Sequence, residues 1–89
     1  MSASHLVVLP STDRESPAAR IRRLQDEARE LAHQQLDLLN AALVEVGRLS
    51  TEIAEGGDLY PVGARELARR LIEESAKQAF SLSAIIERS

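Results

Sequence analysis

Few residues in this chain carry the chemistry of a catalyst. Glu30-Leu31-Ala32-His33 sets a carboxylate and an imidazole at the Glu-x-x-His spacing with which helical bundles hold pairs of metal ions. A two-fold assembly would present that pattern twice, but the companion glutamates that such centres need are missing from the inward positions of the helix. The other histidine, His5, lies far away in the chain. Gly56-Gly57-Asp58 has the small residues of a phosphate-binding loop, yet no strand precedes it and no lysine follows, so it reads as a turn. The serines have no base and orienting acid at triad spacing. There are no cysteines, which excludes disulfides, thiolate chemistry and cysteine-held zinc. The expectation is a non-enzyme with no catalytic, cofactor or metal site. A metal-dependent bundle enzyme built on Glu30 and His33 is the competing class.

The basic residues concentrate in one place. Arg20, Arg22 and Arg23, with Arg14 and Arg29 nearby, would suit phosphate contacts, doubled in a dimer. Against this, Asp26, Glu27 and Glu30 follow at once, no aromatic platform accompanies the arginines, and the net charge is −3. Nor does a helix-turn-helix spacing occur. Nucleic acid is therefore not the expected partner, although a DNA-associated protein using the Arg20–Arg23 end is the alternative function.

The elements that position these groups are helices. Apolar or small residues recur in steps of three or four along Ile21, Leu24, Ala28, Leu31, Gln35, Leu39, Ala42, Val46, Leu49 and Ile53, which is one face of an α-helix. Ser16-Pro17 opens it with a hydroxyl cap and a proline whose missing N–H costs nothing at the first helical position. Gly56-Gly57 closes it. Asp58 is read as the cap of a second helix, with Pro61 in its first turn. The spacing thus predicts a helix over about 17–55, a turn over about 56–60 and a helix over about 61–88. The second helix shows its own face: Ala64, Leu67, Ala68, Leu71, Ser75, Gln78, Ala79, Leu82 and Ile86.

So short a connection folds the helices antiparallel, with facing residue numbers totalling about 116. That register sets Gly47 near Ala68 and Arg69, Leu39 near Lys77 and Gln78, and Ala32 near Ala84. Small residues recur on both sides, which permits close axes, and such a crossing would compensate for Gly47, at about 1 kcal/mol less favourable than alanine in a helix. A flexible point in the rod is the other reading of Gly47. Gln35, Ser75 and Gln78 either fix register within the seam or sit at its wet edge. An additional four-residue step at Leu31, Gln35, Leu39 favours a nearly straight bundle over a wound coiled coil. Arg23 with Glu27, Arg48 with Glu52, Glu66 with Arg70, Arg69 with Glu73 and Glu73 with Lys77 have the spacing of solvated ion pairs.

In this register the second helix leaves Pro17–Glu27 without an intrachain partner, and two helices alone have little interior. The fold class expected is therefore all-α: a long antiparallel hairpin over 16–89, dimerising into a four-helix bundle. The interface residues expected are Ile21, Leu24, Ala28, Leu31, Gln35, Leu39, Val46, Leu71, Leu82 and Ile86. Residues 1–15 form an arm, either a flexible tail or, at His5–Leu9, a strand added to a partner's sheet or to its own copy.

Composition agrees with one domain: 89 residues, 44% hydrophobic, 28% charged, only 2% aromatic. No run is long enough to cross a membrane, and Leu6-Val7-Val8-Leu9 is too short for a signal peptide. A single lysine among many arginines and alanines suggests a GC-rich bacterial source. The function expected is a non-catalytic interaction module, a small cytoplasmic regulator or adaptor. Its partners are a second copy of itself and a further protein.

Overall fold

The computed structural model describes residues 15–89. Three elements follow in order: helix α1 (Pro17–Ala54), a 3-10 turn (Gly57–Leu59) and helix α2 (Val62–Arg88). The expected strand at His5–Leu9, and the expected arm apart from Glu15, lie outside the described residues. The chain divides between Ala32 and His33 into two units.

In the first unit, Ser16 caps α1 as its sequence suggests. Its Oγ accepts from the Ala19 N–H at 3.1 Å and its carbonyl from the Arg20 N–H at 2.9 Å. Ile21, Leu24 and Leu31 are exposed, Leu31 by 62%.

In the second unit, α2 turns back antiparallel against α1. Ser75 Oγ reaches the edge of Gly47, Asn40 Nδ2 donates to Ser83 Oγ at 3.1 Å, and Ser89 Oγ lies 3.4 Å from His33 Nε2. Facing residue numbers therefore total about 122, which corrects the expected register by six residues, or about 9 Å of helix. Gly47 faces Ser75, not Ala68 and Arg69. The paired part of α1 begins at His33.

The reason lies in the turn. α1 ends at Ala54, one residue earlier than expected, and α2 starts at Val62, one later. Between them the chain runs on through the 3-10 turn and an extended Tyr60 before it reverses. Gly57 takes φ +68, a left-handed conformation that a glycine adopts without a steric penalty. Gly56 is needed for space: a Cβ there would run into the ring of Tyr60. Asp58 does not cap α2, as the sequence had suggested. Pro61 holds the cap position without a side-chain bond, and Asp58 instead faces Arg65 at 3.8 Å.

The seam between the helices uses Leu36, Asn40, Leu43, Gly47, Ser50 and Ala54 of α1 against Ala68, Ile72, Ser75, Ala79, Leu82 and Ile86 of α2. Both sets alternate steps of four and three, the repeat that keeps two helices facing each other. The seam is thin. Among the described residues only Ser50, Ala68 and Ser75 are buried, at 4%, 3% and 5% exposure, and all are small. Small residues let the axes approach, so the close crossing proposed for Gly47 is what the structure has, and Ser75 comes off the wet edge into the seam.

Candidate helical interface

Leu39, Val46 and Ile53 each come one residue before a seam position of α1. Leu71, Gln78 and Ile85 do the same on α2. Across an antiparallel seam, residues in the same phase fall on the same side of the pair. The opposite phase gives a direct check. Val44 and Thr51 of α1 and Ala76 of α2, each one residue after a seam position, together line one cleft of about 240 Å³ over Gly47 and Ser75. The two flanks are thus distinct. One carries this shallow cleft. The other carries Leu39, Val46, Leu49, Leu67, Leu71 and Ile85, all exposed, with Leu39 at 52%.

The stripe read from the sequence is therefore the outer flank of α1, not its intrachain seam. Leu39 and Val46 lie on that flank of the second unit, Leu71 joins them from α2, and Gln35 and Ala28 are exposed. Leu82 and Ile86, expected in the same interface, sit half-buried in the intrachain seam. The face assigned to α2 by periodicity divides likewise. Ala68, Ser75, Ala79, Leu82 and Ile86 face α1, and Ala64, Leu67, Leu71 and Gln78 face outward. Sequence reasoning missed the α1 seam because its positions, Asn40, Gly47 and Ser50, are polar or small. The alternating four-and-three spacing was the available signal.

At the arginine end, Arg23 is held at both of its neighbours: Nε bonds Glu15 at 3.1 Å and Nη1 bonds Glu27 at 3.4 Å. The hydrogen bond from Arg23 holds the Glu15 carboxyl below the usual carboxylate range, and the same bond raises the guanidinium. Arg29 pairs with Asp26 at 3.3 Å. Of the arginines expected to gather positive charge, Arg23 and Arg29 are thus already paired to nearby carboxylates, while Arg20 and Arg22 make no ion pair among the described residues. Arg48 bridges Glu45 at 2.6 Å and also bonds Glu52. Its hydrogen bond pulls Glu45 below the usual range, and the two carboxylates raise Arg48. Of the five pairs expected from spacing, Arg23–Glu27 and Arg48–Glu52 form; Glu66–Arg70, Arg69–Glu73 and Glu73–Lys77 do not come within ion-pair distance.

His33 meets Ser89 and no carboxylate. No group of three or more His, Asp or Glu side chains converges among the described residues. No described helix is long and apolar enough to cross a membrane. No protein-family model, no curated protein sequence and no solved structure matches this chain.

Proposed function

We propose that this chain is a non-catalytic protein–protein interaction module, a small regulator or adaptor that works as a homodimer gathering four helices into one bundle. One observation carries the reading: the residues buried in the seam of the hairpin are small, while six large aliphatic side chains, Leu39, Val46, Leu49, Leu67, Leu71 and Ile85, stand exposed together on one outer flank. Fully burying a leucine or isoleucine is worth about 1.5–3 kcal/mol, so covering that flank is the largest stabilisation still open to the fold. Contiguous exposed apolar surface of this kind marks interaction sites in folded proteins. A second copy supplies the same flank, and an isologous contact lets it cover itself.

Sedimentation equilibrium at micromolar concentration tests this. A mass of twice the chain's 9.8 kDa is the expected result. A well-folded particle of one chain removes the proposal. Salt-sensitive binding to duplex DNA by such a particle would move the function to the Arg20–Arg23 end instead.

A further inference from the structure

We propose that the outer flank of the hairpin receives residues 17–32 of a second copy, laid antiparallel, so that two chains exchange the N-terminal parts of their α1 helices. This rests on the homodimer reading and specifies its geometry.

The first argument is spacing. α1 is one helix from Pro17 to Ala54. Its outer stripe matches itself when reversed, with facing numbers totalling about 74. Ile21 then meets Ile53 of the other copy, Leu24 meets Leu49, and Ala28 meets Val46. A two-fold axis near Asp37 generates all these contacts at once. In this arrangement the exposed Ile21, Leu24 and Leu31 pack on the outer flank, which presents Leu39, Val46, Leu49, Leu67 and Leu71. The apolar stretch from Ile21 to Leu31 spans about 15 Å, and the flank from Leu39 to Ile53, about 21 Å, is long enough to take it.

The second argument is charge. On the side of the stripe away from α2, the rim of this flank carries Glu45 and Glu52, while on the α2 rim Glu74 stands between Arg70 and Lys77. The incoming helix brings arginines to both rims. Arg20 falls on the same side of its stripe as Glu52 does, so reversal sets Arg20 beside Glu52. Arg22 and Arg29 fall on the other side, level with Arg70 and Lys77 of α2, so the favourable charge contact is the one on the α1 rim. Glu27 approaches Glu45, but each already shares an arginine, Arg23 and Arg48 respectively. A parallel pairing would instead stack the arginine ends on each other. The sign of the net charge differs between the ends of α1: residues 17–32 carry four arginines against three carboxylates and residues 43–55 three glutamates against one arginine, a polarity that antiparallel pairing satisfies.

Because the chain has no native cysteine, disulfide trapping is direct. Ile21→Cys and Ile53→Cys variants, carrying different affinity tags, are mixed, exchanged and oxidised, and the cross-linked species are identified by mass spectrometry. The expected product is a mixed disulfide between position 21 of one copy and position 53 of the other, with no 21–21 link. A dimer that links 21 to 21, or that yields no 21–53 link, overturns the exchange and leaves the homodimer standing. A monomeric mass overturns both. As a second arm that leaves the apolar stripe intact, Arg20→Glu should weaken dimerisation about fivefold at low salt, and adding Glu52→Arg in the same chain should restore it. Unchanged dimerisation in Arg20→Glu, or no recovery in the double variant, counts against the antiparallel register.

Discussion

The Oγ of Ser75 lies 3.2 Å from the point where a Cβ on Gly47 would stand. Two helices this close leave no room for a branched side chain. Gly47→Val should lower the stability of the hairpin by about 1–3 kcal/mol through overpacking, measured by thermal or urea unfolding. Gly47→Ala sets a gain in helix propensity against a tight contact, so its effect depends on the serine. In a Ser75→Ala background the Oγ is gone and Gly47→Ala should stabilise by up to about 1 kcal/mol. An identical effect of Gly47→Ala in both backgrounds would show that the contact carries no energy.

Asn40 sits in the seam with its Nδ2 bonded to Ser83, while its Oδ1 is buried with no partner. A buried acceptor left without a hydrogen bond costs about 1–3 kcal/mol. Asn40→Leu should therefore raise the melting temperature. A polar residue at such a position also holds register, so the variant should show broader amide dispersion changes or a second helix pairing by NMR. A lower melting temperature would mean that the Asn40–Ser83 bond outweighs the orphaned oxygen.

Leu39 lies outside the intrachain seam, on the exposed flank. Leu39→Asp should leave the helix content of a single chain largely intact and abolish its assembly, because a charge buried in an apolar contact is costly. Leu43→Asp, within the seam, should lose helix content as well. Circular dichroism paired with sedimentation separates the two; equal assembly of Leu39→Asp and the parent would contradict the assignment of the flank.

Glu15 and Glu45 are both held below their ordinary value of 4.5 by hydrogen bonds from arginine. A carboxylate whose folded value is depressed adds stability that is complete above its unfolded value and is lost as pH falls through the lower folded one. Helicity should hold from neutral pH down to about 5 and decline below 4.5, and Arg48→Ala should shrink that acid-dependent loss while leaving the neutral-pH melt little changed. A loss of helicity centred near pH 6 would contradict the assignment to these carboxylates.

Gly57 takes φ +68 in the turn. Gly57→Ala should cost about 1–2 kcal/mol, since a left-handed conformation crowds any Cβ. A neutral result by urea unfolding would show that the turn refolds into another conformation without penalty.

The helix limits were legible because punctuation residues act locally. Ser16-Pro17 opened α1 and the glycines closed it within a residue of their expected places. The division of faces was not legible by hydrophobicity. The strongest apolar stripe, through Leu31, Leu39 and Leu49, faces outward, whereas the helices meet through Asn40, Gly47, Ser50 and Ser75, whose weak apolar signal a stripe search passes over. Register failed for a different reason. It depends on how far the chain climbs through Gly57–Leu59 and Tyr60 before turning back, and no spacing in the helices records that distance. The small residues repeated on both helices did announce close axes, and the Gly47–Ser75 contact is where they meet.

A clasp whose buried members are two serines and an alanine has a weak grip of its own. In the proposed homodimer, the amount of this polypeptide in its surroundings becomes a control: dilution alone, with no change in temperature or covalent structure, would part the copies, and abundance would set how much of it stays paired to act.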